Sequence, residues 1–351
     1  MIVFGQSDMQ SWGFTARFAA LANEYPELVP ARVVSQERGS WRVIHAGGEQ
    51  DAQLSGRFRF DAAAEEYPTV GDFVMLEADD ADSPVLIRAL LPRKSVFLRR
   101  AAGDALRAQA VAANVDIAFI CMSLNQNFNL RRLERYLAAA WESGATPAVL
   151  LTKADLCTDT SQKRAEAAEV AAGVDVMCVS ALEADGCDAV RAYLAPGKTI
   201  ALIGSSGVGK STLTNCLLGE AQLATGGIRG DGRGRHTTTR RELMLLPGGG
   251  CIIDTPGMRE LGMWDAADGL ERAFADIDAL AQGCRFRNCS HNTEPGCAVR
   301  VAVAAGQLSA ARLQSWRKLQ AENAHGRASC QAARTQKFKT IAKINRSNPK
   351  K

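Results

Sequence analysis

The segment at residues 204–211, Gly-Ser-Ser-Gly-Val-Gly-Lys-Ser, restricts the possible folds of this chain more than any other. It follows an apolar run at 199–203 and precedes a helical stretch at 210–218. A glycine-rich loop between a strand and a helix points backbone N–H groups inward around phosphates, next to a helix N-terminus that favours anions. The sequence therefore predicts an α/β domain with a phosphate site. Its expected residues are Gly204, Ser205, Ser206, Gly207, Val208, Gly209, Lys210, Ser211 and Thr212.

Two further segments end apolar runs of the same region. Lys153 and Asp155 follow the run at 147–151, and Ser180 with Ala181 ends the run at 176–180. Open α/β sheets bind ligands at the carboxyl ends of their strands, so we expect these segments beside the phosphate loop. A carboxylate at position 155 accepts hydrogen bonds from guanine N1 and N2, which adenine does not supply. The residues predicted to bind the base are Thr152, Lys153, Ala154, Asp155, Ser180 and Ala181.

The predicted phosphate site also has the residues that Mg²⁺ requires. We expect Lys210 to reach the β- and γ-phosphates and the Ser211 hydroxyl to ligate the metal. Asp254 begins an Asp-x-x-Gly segment and is expected to hold Mg²⁺ through water, while the Gly257 amide contacts the γ-phosphate. One of the threonines at 237–239 completes the metal shell; the sequence does not distinguish them, and we assign the role to Thr239.

The order of these motifs is unusual. In GTPases the phosphate loop normally comes first, then the switch threonine and the Asp-x-x-Gly switch, and the Lys-x-Asp segment comes last. Here Lys-x-Asp at 153–155 precedes the phosphate loop at 204–211. The set is complete but circularly permuted, so the second switch leads directly into the C-terminal part of the chain.

Apolar runs alternate with helical stretches from about residue 114 onward. This alternation predicts a largely parallel sheet covered by helices on both faces. The predicted strands are 115–122, 147–151, 176–180, 199–203, 242–246 and 251–253, and the predicted helices are 130–142, 162–172, 187–194 and 210–218. Gly144 is placed to end the first helix.

Residues 30–93 contain short β runs separated by turn residues. The predicted strands are 31–35, 40–45, 57–60, 71–76 and 85–90. Five strands at this spacing predict a small closed barrel of the oligonucleotide-binding (OB) type. Its basic residues suit a nucleic-acid face, although a barrel with solvated arginines explains the segment equally well. These residues are Arg57, Arg59, Arg88, Arg93, Lys94, Arg99 and Arg100.

Four metal-ligand side chains are clustered in the polar segment 284–297. Cys284, Cys289, His291 and Cys297 supply the Cys₃His set of a tetrahedral zinc site. Because four protein ligands leave no open position, we expect one structural zinc ion per chain. A chance cluster of reduced surface cysteines is the alternative, but such cysteines rarely gather around a histidine at ligand spacing.

The net charge of +4 is unevenly distributed. From Asn323 to the end there are eight Lys or Arg residues and no acidic residue, so the tail is cationic and the rest of the chain slightly acidic. This pattern indicates a localised contact with a polyanion, or alternatively a solvated, disordered end. No apolar run approaches the roughly 20 residues of a membrane span. The scattered cysteines fit reduced thiols, so we expect a cytoplasmic location and no membrane partner.

The barrel, the permuted GTPase motifs and the Cys-x₄-Cys-x-His-x₅-Cys segment together resemble the small-ribosomal-subunit-dependent GTPase family, RsgA. Gly-Arg-His-Thr-Thr-Thr at 234–239 and Asp-Thr-Pro-Gly-Met-Arg-Glu-Leu-Gly at 254–262 are similar to the two switches of that family. The resemblance implies a bacterial assembly factor that binds GTP and GDP and the nearly mature 30S subunit with its 16S rRNA, near the decoding centre. GTP hydrolysis, stimulated by the subunit, would release the factor, and a monomer is expected. The chain departs from the usual motif at Thr152, where Asn is typical, so we expect weaker nucleotide binding with the guanine preference kept.

The first switch contains the candidate catalytic residue, His236. In many GTPases a Gln after Asp-x-x-Gly orients the attacking water, but this chain has Met258 there. Intrinsic hydrolysis should therefore be slow, and His236 would orient the water once a partner orders its glycine-rich loop. The alternative is that His236 contacts RNA or packs.

We expect four parts: an extension at 1–29 without an assigned role, the OB barrel at 30–100, the permuted GTPase domain at 101–263, and a helical zinc domain with the basic tail at 264–351. Besides a subunit-activated GTPase, the modules fit an RNA-binding protein in which nucleotide is only a structural ligand. A nucleotide-dependent zinc enzyme is disfavoured, because the predicted zinc site is closed.

Overall fold

A computed structural model describes residues 8–37, 39–62, 66–77, 84–101, 104–183, 185–219, 241–254 and 266–326. The candidates His236, Thr239 and Gly257 lie outside these ranges, as do Met258 and the basic tail from Arg327 onward. The strands are β1 Val29–Gln36, β2 Trp41–His45, β3 Gly48–Leu54, β4 Phe73–Glu77, β5 Val85–Leu90, β6 Val96–Ala101, β7 Asp104–Ala113, β8 Ile117–Ser123, β9 Thr146–Thr152, β10 Val176–Val179, β11 Thr199–Ile203, β12 Arg241–Leu245 and β13 Cys251–Asp254. The α-helices are α1 Asp8–Ser11, α2 Ala16–Ala22, α3 Gly56–Asp61, α4 Leu130–Ser143, α5 Thr160–Val170, α6 Asp188–Arg191, α7 Lys210–Leu218, α8 Ala267–Ala273, α9 Ala275–Ala281, α10 Ala298–Ala304 and α11 at 310–326.

Strands β1 to β5 form the closed five-stranded barrel that the sequence predicts, with one strand in a different place. The order is β1-β2-β3-β5-β4, and β4 pairs back with β1. The predicted strand at 57–60 is wrong: it lies in α3, whose N-terminus is capped by the Ser55 hydroxyl accepting a hydrogen bond from Phe58 N–H. The fifth strand is β3, where the buried Ala52 and Leu54 alternate with polar residues. The hydrophobic pattern did not predict this strand because many of its side chains are polar.

The α/β prediction is confirmed. Strands β10, β9, β8, β11 and β13 are parallel in that order, and β12 is antiparallel to β13. Buried residues of α4, α5 and α8 pack on one face of the sheet, and those of α6 and α7 on the other. Helix α4 ends at Gly144, which has the left-handed backbone (φ 85°) that favours glycine.

The barrel and the α/β sheet are one continuous sheet, because β12 pairs with β1 at Ser35–Glu242 and Gln36–Arg241. The buried Arg32 strengthens this junction: its guanidinium donates to Thr199 Oγ1 at 2.8 Å and also to the Trp12 carbonyl.

The N-terminal segment, which had no assigned role, covers one side of the barrel. Phe18 of α2 is buried against Phe73 of β4, with ring centroids 4.1 Å apart.

Four of the seven basic residues suggested for a nucleic-acid face form ion pairs within the protein. Arg93 forms an ion pair with the buried Asp72 at 2.8 Å, and Lys94 pairs with Asp116 at 2.7 Å. Arg88 also pairs with Glu77, and Arg57 pairs with Asp61 at 3.6 Å although 90% of the Arg57 side chain is exposed. The barrel therefore offers fewer free cations than its composition suggests. Within the ranges given above, no helix has the length and apolar character needed to cross a membrane.

Candidate nucleotide site and metal centre

The predicted phosphate loop connects β11 to α7 at the carboxyl edge of the sheet. Gly204 passes so close to β8 that an added Cβ would lie 2.5 Å from the Cys121 carbonyl oxygen. Gly209 begins α7 with a left-handed backbone (φ 101°). Glycine is needed at 204 because a Cβ there would meet this backbone, and it is favoured at 209 because L side chains rarely adopt that backbone conformation. Burial raises the pKa of the underlying Cys121 thiol to about 12, so it stays neutral beneath the loop.

Lys210 lies inside the loop rather than toward solvent. Its ammonium donates hydrogen bonds to the carbonyl oxygens of Gly204 at 2.7 Å and Ser205 at 2.8 Å, and the residue is buried. Ser211 and Thr212 follow in the first turn of α7. This arrangement places a cation and a helix N-terminus at the same point, which is the chemistry that binds phosphate.

The two segments predicted to bind the base, at 152–155 and 180–181, meet at the ends of β9 and β10. Lys153 has a left-handed backbone (φ 59°) and starts the 3₁₀ turn Ala154–Leu156. The Ser180 hydroxyl donates to Asp155 Oδ1 at 2.8 Å, which orients the carboxylate and leaves its other oxygen for a ligand. The structure thus brings together Asp155 and the Ser180-Ala181 segment, which are 25 positions apart in sequence.

Thr152 joins the predicted base-binding segment at 152–155 to the phosphate loop. Its hydroxyl donates to the Val208 carbonyl at 2.5 Å, and both residues are buried. A donor at this position is therefore retained although the usual Asn is replaced.

Asp254 ends β13, the parallel neighbour of β11, so it lies at the same sheet edge as the phosphate loop. It is only 6% exposed. The other switch residues predicted at this site, Gly257, Thr239 and His236, belong to the part of the chain that the structure leaves undescribed.

The phosphate loop has a further contact that the motifs do not indicate. Arg132, in the first turn of α4, donates from Nη1 to Ser205 Oγ at 2.8 Å. Asn129 caps this helix by accepting from Arg132 N–H at 3.1 Å and so fixes where the side chain begins. The sequence could have indicated this contact through the position of α4, which directly follows β8, the strand that pairs with β11.

The four predicted metal ligands come together in space. The ligand atoms of Cys284, Cys289, His291 and Cys297 all lie within 4.8 Å of one another. His291 Nδ1 is 3.6 Å from Cys284 Sγ and 3.4 Å from Cys297 Sγ, and these two sulfurs are 3.9 Å apart. Zinc–sulfur bonds of about 2.3 Å in a tetrahedron place sulfurs about 3.8 Å apart. The donor set therefore fits a tetrahedral ion of this size.

Neighbouring residues hold the ligands in place. Glu294 accepts backbone N–H bonds from Ser290 at 2.9 Å and Asn292 at 2.8 Å, on either side of His291. Hydrogen bonds from the Ser290 side chain and from this backbone lower the pKa of Glu294 to about 2. From α11, Trp316 packs its ring 5.3 Å from the imidazole. The centre is thereby attached to the C-terminal helix.

The family is shown by comparison with known proteins. The sequence model of the RsgA GTPase family matches residues 90–264. A small ribosomal subunit biogenesis GTPase RsgA 2 from Lactiplantibacillus plantarum is 49% identical over 310 residues, which span 88% of this chain and 87% of the relative. The chain belongs to the RsgA GTPase family. It is therefore a GTP-hydrolysing enzyme, as its motifs predict.

Solved structures agree with this assignment. YjeQ from Thermotoga maritima superposes with a TM-score of 0.63 at 25% identity, covering 84% of this chain and 98% of that one. YloQ, described as a circularly permuted GTPase, gives a TM-score of 0.60 at 24% identity over 85% of this chain and 96% of YloQ, and so shares the fold. The chain thus has the architecture that the permuted order of its motifs predicts.

Proposed function

We propose that this GTPase assists late maturation of the small ribosomal subunit: it binds the 30S particle, hydrolyses GTP faster when bound, and is released by hydrolysis. The observation that carries the proposal is the relative named for small-subunit biogenesis, which is 49% identical over 88% of the chain. Such a role requires cytoplasmic action on 16S rRNA, and we propose that the protein acts there as a monomer.

The nucleotide site follows from the residues at the sheet edge. We assign the guanine to Asp155 with Lys153 and the Ser180-Ala181 segment, and the phosphates to the loop at 204–212. Mg²⁺ would be held by Ser211 and Thr239, with Asp254 acting through water, and Gly257 would contact the γ-phosphate. The metal supplies charge that stabilises the transferring phosphoryl group.

A zinc ion is the metal we propose for Cys284, Cys289, His291 and Cys297. Three thiolates and an imidazole at tetrahedral separations favour zinc and leave no position for a substrate. The ion therefore stabilises the C-terminal helices in this proposal. It takes no part in the hydrolysis.

His236 remains our candidate for orienting the attacking water, because Met258 has no group that does so. Docking would be electrostatic, through the basic tail and the exposed barrel cations such as Arg57. The division at residues 29, 100 and 263 remains our proposal for where the functional units meet.

The test is GTP turnover with and without purified 30S subunits. We expect clear stimulation for the wild type, none for Lys210→Ala, and a loss of about 10² or more in stimulated turnover for His236→Ala with GTP affinity nearly unchanged. Truncation after Glu322 should weaken subunit binding and reduce its salt dependence. Absence of stimulation in the wild type would favour an RNA-binding module that uses nucleotide only as a structural ligand. Full stimulation of His236→Ala would remove that residue from catalysis.

A further inference from the structure

We propose that Arg132 is a second phosphate-directed cation of the nucleotide site and distinguishes GTP from GDP. The proposal rests on nucleotide binding at the phosphate loop and not on the ribosomal role. Its starting observation is the 2.8 Å hydrogen bond from Arg132 Nη1 to the hydroxyl of Ser205, the second residue of the loop.

Arg132 differs from the two neighbouring arginines of α4 in its ion-pair partners. Arg131 pairs with Glu134 at 2.6 Å, and Arg135 pairs with Glu322 of α11 at 2.5 Å. Arg132 has no carboxylate partner among the residues that the structure describes, although it is half-buried. Within the described ranges, Arg132 is thus the one arginine of these three without an acidic partner, and it is the one that reaches the phosphate loop. A half-buried cation with no carboxylate beside it is expected where a bound ligand supplies the negative charge.

The position of Ser205 indicates which phosphate Arg132 faces. The Lys210 ammonium donates to the Ser205 carbonyl at 2.8 Å, while Arg132 donates to the hydroxyl of the same residue. The loop lysine of this motif reaches the β- and γ-phosphates. The two cations therefore bracket the part of the loop that surrounds the terminal phosphates.

The guanidinium has chemistry that suits this role. It presents five N–H donors in a planar fork, and one of them is used by Ser205. The remaining donors are available to phosphate oxygens, and charge-assisted bonds from arginine to phosphate are among the stronger hydrogen bonds in proteins. A cation near the terminal phosphates stabilises a triphosphate more than a diphosphate, because GDP lacks the γ-phosphate. Arg132 would thereby bias the site toward the GTP state.

The test is calorimetric titration of the full-length protein with GDP and with a non-hydrolysable GTP analogue, both with Mg²⁺. For Arg132→Gln we expect the Kd of the analogue to rise about tenfold or more, and that of GDP to change much less. Arg42→Gln is the matched control: it removes one charge from a side chain of β2 that is 55% exposed and has no proposed binding role, and it should change neither Kd. Arg132→Lys keeps the charge without the fork and should give an intermediate loss.

Ser205→Ala separates phosphate binding from support of the loop. If Arg132 only supports the loop through the Ser205 hydroxyl, Ser205→Ala and Arg132→Gln remove the same hydrogen bond and weaken GTP and GDP alike. If Arg132 binds phosphate, Ser205→Ala leaves the cation in place and has the smaller effect. Equal losses in the two variants, or equal losses for the two nucleotides, would overturn the proposal. A wild type that binds neither nucleotide would instead contradict the assignment of the whole site.

Discussion

Thr152→Val tests how the predicted base-binding segment at 152–155 supports the phosphate loop. Valine is nearly isosteric with threonine but has no donor for the Val208 carbonyl, which the Thr152 hydroxyl contacts at 2.5 Å in a buried environment. Leaving a buried acceptor without its donor costs about 1–3 kcal/mol. Each 1.4 kcal/mol changes the Kd about tenfold. If the whole cost fell on the nucleotide-bound state, the Kd would therefore rise about 5- to 150-fold. We expect about tenfold, because the loop carbonyl can shift toward water.

The assay is equilibrium titration with GTP analogue and GDP. Both affinities should fall by a similar factor, because the lost contact supports the loop and does not touch the γ-phosphate. Thr152→Ser retains the hydroxyl and should bind like the wild type. Thr146→Val makes the same chemical change at the exposed start of the same strand, β9, and should have no effect. Unchanged nucleotide affinity in Thr152→Val, at wild-type stability, would refute the idea that this hydrogen bond joins the two segments.

Three further predictions concern the base, the metal and the half-buried Asp278 of α9. Asp155→Asn should weaken GTP binding and reduce discrimination against ATP, measured by competition; wild-type protein that binds ATP as tightly as GTP would contradict the guanine assignment. Cys289→Ser should lower zinc content from one ion per chain and increase amide exchange from about residue 270 onward, with the α/β sheet unchanged. Burial, together with Glu271 and Asp276, raises the pKa of Asp278 from 3.8 to about 6. Because the folded state then binds the proton more tightly, stability falls as pH rises through this range. Asp278→Asn should stabilise the protein at pH 7 by up to about 1 kcal/mol, allowing for solvent screening, and have no effect below pH 4 in urea titrations.

The α/β strands and the sheet edge that carries the phosphate loop were predictable, because each depends on a short run of neighbouring residues. An apolar run such as β11, followed by a glycine-rich loop, determines both the strand and where its ligand lies. The helix at Gly56–Asp61 was not predictable in this way, since its alternation of Arg57, Phe58 and Arg59 also fits a strand. Its Ser55 cap, visible in sequence, was the weaker signal. Likewise, β3 is a strand because its edges pair with β2 and β5, and its own composition is mostly polar.

Contacts made across the fold could not be read from motifs. Arg132 and Ser205 are 73 positions apart, and only the pairing of β8 with β11 brings their elements together. The same holds for Arg93, which composition assigned to a nucleic-acid face. Its partner Asp72 is buried, and burying a carboxylate without hydrogen bonds would carry a large desolvation cost. The side chain of Arg93 therefore points inward to pair with Asp72.

The permutation has a structural consequence at both ends of the switch region. Residue 241 begins β12, which pairs with β1 of the barrel, so the strand after the first switch belongs to the barrel's own sheet. After the second switch, α8 packs on α4, where the Gly269 N–H donates to Glu142 at 2.9 Å. Helix α4 also meets α11 through Arg135 and Glu322, and it reaches the phosphate loop through Arg132. A change at the nucleotide could therefore act on the barrel through β12, and through α4 on the helices around the Cys₃His cluster. In an unpermuted order the second switch would lead into the Lys-x-Asp half of the domain instead of into α8, and one of these two connections would be lost.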